Sequence, residues 1–76
     1  MPELPRMSGK AVVAVLTRHG WTVARISGSH YILHKPGHDP FSVPVHANRD
    51  LKVGTLRSIL KSTGLSVAEF VEMLGK

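Results

Sequence analysis

The sequence contains no cysteine, and its only aromatic residues are one tryptophan, one tyrosine and two phenylalanines. The lack of cysteine excludes disulfide bridges, thiolate metal sites and cysteine nucleophiles. So few aromatic side chains argue against a platform on which successive nucleic-acid bases stack. With 76 residues, the chain is long enough for one domain with a single core, and too short for a doubly wound nucleotide-binding fold or an eight-fold barrel.

Acidic residues are also few, because five aspartates and glutamates stand against ten lysines and arginines, which gives a formal net charge of +5. The carboxylates are scattered along the chain, which disfavours paired-acid hydrolysis and two-metal nuclease chemistry. The sequence has no Walker loop, dinucleotide fingerprint or nucleophile-elbow pentapeptide. The positive charge favours a phosphate-bearing or acidic partner, with nucleic acid first among them.

Long hydrophobic runs are missing as well. The apolar run from Ala11 to Leu16 is shorter than the roughly 7 to 15 residues of a signal-peptide core and the about 20 of a membrane span. We therefore expect one cytoplasmic domain over residues 1–76, with residues 1–6 as a loose lead-in.

Local patterns predict six elements in the order α-β-β-β-α-α. Ser8 and Gly20 have the residue types that begin and end a helix, and Ser66 with Glu69 has the spacing of a capping box. The predicted elements are a helix over residues 9–19, strands over 21–27, 31–34 and 41–45, a helix from about Leu51 that Gly64 ends, and a last helix after Ser66. This order indicates an α+β domain in which a three-stranded antiparallel sheet carries helices on one face and leaves the other open.

Histidine is the chemically most informative residue of this sequence, with five copies. An imidazole exchanges a proton near neutral pH, which is what attack of an RNA 2′-hydroxyl on its own phosphodiester requires. Strand alternation predicts that His30, His34 and His46 lie on the open face of the sheet. Two other interpretations stay open: ordinary polar residues of an exposed face, or a weak metal pair formed by His34 and His38.

The tripeptide Gly28-Ser29-His30 predicts a tight turn whose backbone N–H groups can approach a phosphate. A plain hairpin turn would give the same pattern. Basic residues near this turn or on the fourth element could supply a phosphate-binding surface, although an ordinary solvated surface explains them equally well. They are Arg25, Lys35, Lys52 and Arg57, with Arg49 close by in the sequence.

A series of short motifs occurs in a specific order and spacing between Leu4 and Leu74. They are Leu4-Pro5-Arg6, Ser8-Gly9-Lys10, Gly20-Trp21, Gly28-Ser29-His30, Val43-Pro44-Val45-His46, Gly54-Thr55-Leu56-Arg57-Ser58-Ile59-Leu60-Lys61 and Gly64-Leu65-Ser66. With these motifs the sequence resembles the HicA-type toxins, the small mRNA-degrading partners of HicB antitoxins in bacterial toxin–antitoxin pairs. The resemblance implies a fold similar to the double-stranded RNA-binding domain and RNA cleavage without a metal or other cofactor.

The resemblance also implies site residues and a protein partner. The functional histidine of the family's Gly-Ser-His motif corresponds to His30, and many relatives carry a second histidine where this chain has Tyr31. We expect Gly28 and Ser29, with Arg25 or Lys35, to hold the phosphate, and Lys52 and Arg57 to bind RNA. His34, His46, Lys35 or water would supply the second proton transfer. A HicB-type antitoxin would cover the His30 surface.

Two other classes of function remain open from the sequence. One is a non-catalytic RNA-binding module of the same shape, which would bind RNA with a steep salt dependence and leave it intact. The other is a small interaction domain whose positive charge recruits an acidic protein.

Overall fold

The computed structural model describes residues 3–47 and 49–75. Its elements are α1 (Gly9–Arg18), β1 (Thr22–Ser27), β2 (His30–His34), β3 (Phe41–Pro44), α2 (Val53–Thr63) and α3 (Val67–Leu74). This is the predicted order, and the three strands form one antiparallel sheet in the order β1-β2-β3. The α+β fold class is confirmed.

Helix α1 begins and ends where its cap residues predict. The Ser8 hydroxyl accepts a hydrogen bond from the Ala11 N–H at 3.1 Å, which satisfies one of the free donors of the first turn. Gly20 follows the C-cap residue His19 with φ 98°, a left-handed conformation that favours glycine and stops the helix.

Helix α2 begins at Val53, two residues later than predicted, because the preceding segment pairs with the chain before α1. The Leu51 N–H donates to the Met7 carbonyl at 2.7 Å, and Ser8 and Asp50 form an isolated antiparallel bridge. A backbone held in an extended bridge cannot at the same time take helical dihedral angles. The helix ends as predicted, at Gly64 with φ 77°.

Helix α3 begins with the predicted capping box. The Ser66 hydroxyl accepts from the Glu69 N–H at 3.1 Å, and a Glu69 carboxylate oxygen accepts from the Ser66 N–H at 2.9 Å. The bond from the Ser66 backbone, with a smaller contribution from the Ser66 side chain, lowers the pKa of Glu69, because both favour the ionised carboxylate.

The helices pack on one face of the sheet, and the histidine-bearing face is left open. Leu33 and Val43 of the sheet are completely buried in the core. They contact buried side chains of all three helices, among them Val12, Leu16, Leu56, Ile59, Leu60 and Phe70. Tyr31, Phe41 and Val45 lie partly buried on the same side, which confirms the predicted alternation. Of the predicted lead-in, residues 1 and 2 lie outside the described residues, and Leu4 packs against the core.

The first residue of α1 lies directly against the end of β3. A methyl group placed on Gly9 would overlap the Pro44 carbonyl oxygen and come within 3.2 Å of the Val45 Cα. Gly9 is itself buried. Only a residue without a side chain lets α1 approach β3 this closely, so this contact fixes the position of the strand end that pairs with His30.

Within the described residues, no helix has the length and apolar character needed to cross a lipid bilayer.

Candidate functional site

His30 occupies the start of β2, immediately after the turn that joins β1 to β2. It is exposed on the face of the sheet that carries no helix. Its neighbours across the sheet are Ser27 on β1 and Pro44 on β3. Among the described residues, no group forms a hydrogen bond with its imidazole. The ring is therefore open to a substrate from the solvent side.

The turn before His30 consists of Gly28 and Ser29. Gly28 has φ 59° at the first central position and Ser29 has no positive φ, the pattern of a type II′ hairpin turn. The Val45 N–H donates to the Ser29 carbonyl at 2.6 Å, which ties the turn to the chain after β3. Within the described residues, the N–H groups of Gly28 and Ser29 donate to no acceptor, so both can bind an anion beside His30.

Arg25 lies on the same face as His30 because β1 contains a bulge. The register shifts between Val23, which pairs with Leu33 on the core side, and Arg25, which pairs with Ile32 on the open side. Without this extra residue, strict alternation would place Val23 and Arg25 on one face. Arg25 is thereby a diagonal neighbour of His30, about 7 Å away between Cβ atoms and within reach of a guanidinium group.

His34 and Lys35 are not brought to His30. His34 lies at the other end of β2, four residues and so about 13 Å along the strand. The Lys35 ammonium lies 5.9 Å from the centroid of the Trp21 ring and donates to the His19 carbonyl at 3.5 Å. Lys35 therefore holds the end of α1 against β1, at the edge of the sheet opposite the turn.

His46 lies just beyond β3, two residues after Pro44. It is exposed and begins a turn in which the Arg49 N–H donates to the His46 carbonyl at 3.0 Å. Ala47 in this turn has φ 50°, an uncommon conformation for a residue with a side chain. Of the two predicted histidine helpers, His46 is the one whose strand leads directly away from His30.

An open groove of about 310 Å³ separates the end of β3 from the start of α2, and we call it the β3–α2 groove. It brings Lys52 and His46 together, two residues that the sequence analysis assigned to different tasks. Its lining consists of Pro44, His46, Arg49, Asp50, Leu51, Lys52 and Thr55. The sequence signal for it was the polar stretch between the third strand and the next helix, in which Arg49 received no specific role.

Arg57 lies further along α2 and lines a different groove of about 720 Å³, whose other lining residues are Glu3, Leu4, Val53, Ser66, Val67 and Ala68. Arg57 is exposed. This groove lies between the N-terminal segment, α2 and α3, and includes no residue of the sheet. The structure therefore separates Arg57 from the His30 turn.

His38 packs against the aromatic residues at the far end of the sheet. Its ring centroid lies 5.2 Å from that of Trp21, which also makes an edge contact with Phe41 at 5.0 Å. The turn before β3 thus folds back over Trp21. In the part of the chain that the structure describes, no three histidine, aspartate or glutamate residues are grouped so that they could hold a metal ion.

Comparison with known proteins gives one family. Residues 9–65 match the family model described as the HicA toxin of bacterial toxin–antitoxin systems. The match covers more than half of the chain and includes the His30 turn, Arg25 and the β3–α2 groove. No curated protein matches the sequence significantly.

Proposed function

Because this chain belongs to the HicA toxin family, we propose that it is the toxin of a type II toxin–antitoxin pair and cleaves mRNA as a metal-independent endoribonuclease. The observation that carries this proposal is the exposed imidazole of His30 beside a turn with two free N–H groups. A proton-exchanging group and two anion-binding donors are the parts that phosphodiester cleavage by a 2′-hydroxyl needs.

In the proposed reaction, His30 accepts the proton of the ribose 2′-hydroxyl or delivers one to the leaving 5′-oxygen. The 2′-oxygen forms a bond to phosphorus, the bond to the 5′-oxygen breaks, and the products are a 2′,3′-cyclic phosphate and a 5′-hydroxyl. The N–H groups of Gly28 and Ser29, with the Arg25 guanidinium, stabilise the negative charge that develops on the phosphate oxygens.

One imidazole cannot perform both proton transfers in the same step, so a second carrier is needed. The distance of about 13 Å along β2 argues against His34, and the contact with Trp21 argues against Lys35. His46 or a water molecule remains as the second carrier, since His46 follows the strand that pairs with His30.

A HicB-type antitoxin is the proposed inhibitor, and it would cover the open face around His30. The net charge of +5 and the exposed Arg25 on this face support an acidic partner that excludes RNA by occupying the same surface. A complex in which RNA still reaches His30 would contradict this part of the proposal.

Incubation of the purified protein with single-stranded RNA in EDTA tests the proposed activity, with the new termini identified by end-specific labelling. We expect cleavage with cyclic-phosphate and 5′-hydroxyl ends. Binding that weakens steeply with salt but leaves the RNA intact would identify a non-catalytic RNA-binding module. A complete lack of affinity for RNA would identify a domain that recruits an acidic protein.

A further inference from the structure

The β3–α2 groove combines two exposed cations with an imidazole. Arg49 and Lys52 form no ion pair with another described residue, and His46 lines the same groove. Asp50 is its one carboxylate. The two cations, the imidazole and the Thr55 hydroxyl offer hydrogen-bond donors to an anion, and a planar guanidinium suits a phosphate in particular.

The position of the groove relative to His30 gives it a meaning for substrate binding. Pro44 pairs with His30 across the sheet and also lines the groove. His46 follows two residues later, about 7 Å further along an extended chain. A strand that passes His30 on the open face thus reaches the groove directly beyond Pro44.

The lining segment is held in place before any ligand binds. The Leu51 N–H bond to the Met7 carbonyl and the bridge between Ser8 and Asp50 fix the chain between Arg49 and Lys52. A fixed backbone lowers the conformational entropy that is lost when the flanking cations bind an anion.

We propose that the β3–α2 groove is a subsite for the RNA phosphate next to the scissile one, contacted by Arg49 and Lys52. This inference rests on the proposed ribonuclease function and adds the path of the RNA, from the His30 turn across Pro44 to the start of α2. A contact to a phosphate that does not react contributes to substrate binding and leaves the chemical step unchanged.

The test compares two double variants that remove the same charge. Arg49→Ala with Lys52→Ala empties the groove of its cations, and Arg18→Ala with Lys61→Ala removes two exposed cations from the last turns of α1 and α2. Binding of a fluorescent single-stranded RNA is measured at several salt concentrations in the His30→Ala background, where no cleavage disturbs the equilibrium. We expect the slope of log affinity against log salt to fall by about 1.4 for the groove variant, about 0.7 for each lost phosphate contact, and to stay near the parent value for the control.

With His30 intact, the groove variant should raise KM several-fold on the same RNA while kcat stays close to the parent value. Equal salt slopes in the two double variants overturn the subsite. An unchanged slope combined with weaker binding of an acidic antitoxin also overturns it, and assigns the groove to the protein partner instead. A groove-dependent slope in a protein that never cleaves RNA supports the phosphate contact and rejects the ribonuclease proposal, so the two failures are distinguishable.

Discussion

Gly9 at the start of α1 lies in direct contact with the backbone of Pro44 at the end of β3, with no room for even one additional methyl group between them. Since Pro44 is the cross-strand neighbour of His30, this contact connects the first turn of α1 to the proposed catalytic histidine. It also gives a reason why a glycine occurs within a helix at this position, where most residues would favour the helix more.

Gly9→Ala should therefore destabilise the protein, although glycine-to-alanine changes within helices usually stabilise. We expect a loss of about 1 to 3 kcal/mol in the free energy of unfolding, the cost of forcing an extra group into a packed site, together with reduced RNA cleavage. Urea unfolding measures the first effect. Gly54→Ala in α2 is the matched control, because a Cβ there meets nothing within 4 Å, and it should leave stability unchanged or raise it by up to about 1 kcal/mol. Equal stability of Gly9→Ala and the wild type would show that α1 and β3 can separate at no cost.

His30→Ala should abolish RNA cleavage and leave the fold intact. The side chain is exposed, so its removal opens no cavity, whereas the loss of a general acid or base lowers the rate by about a hundred- to ten-thousandfold. Cleavage rates and thermal unfolding of the same preparation measure the two effects. His19→Ala is the control, since its backbone caps α1 at the far end of the helix. Full cleavage by His30→Ala would remove this residue from the mechanism.

Arg25→Ala should lower kcat by up to about a hundredfold, because the guanidinium stabilises charge that develops only as the phosphate reacts. Arg25→Lys should recover part of the rate, since a cation returns but the planar pair of donors does not. Steady-state kinetics separate this effect on kcat from an effect on KM. Arg18→Ala removes an equal charge from α1 and should behave as the wild type. A change in KM alone would reduce Arg25 to a binding role.

Glu69 should make the stability of the protein depend on pH in the acid range. Its pKa in the folded protein is lowered from the ordinary value of 4.5, so the capping box stabilises α3 above that pH, and this contribution is lost as the pH falls through the lowered pKa. We expect Glu69→Gln to be less stable than the wild type at neutral pH and the difference to shrink in acid. Urea unfolding at a series of pH values measures it. A difference that persists unchanged well below pH 4.5 would show that the charge of Glu69 contributes nothing.

The sequence predicts the parts of this protein that depend on local chemistry. The cap residues Ser8, Gly20 and Gly64 begin or end helices as their types indicate, and the pair Ser66 and Glu69 forms its capping box. Strand alternation also predicts that the helices cover the face of Leu33 and leave that of His30 open. These features can be predicted because a cap bond or a pleat involves residues only a few positions apart.

Other features were decided only in the tertiary structure, by contacts between distant parts of the chain. The bulge after Val23 moves Arg25 to the open face, where strict alternation would place it with the core residues. Lys35, one of two candidate phosphate ligands from the sequence, contacts the Trp21 ring instead. The pairing of Met7 with Leu51 delays the start of α2 and forms one wall of the β3–α2 groove. Such contacts depend on how the packed elements share space, and no periodicity within a single element encodes that arrangement.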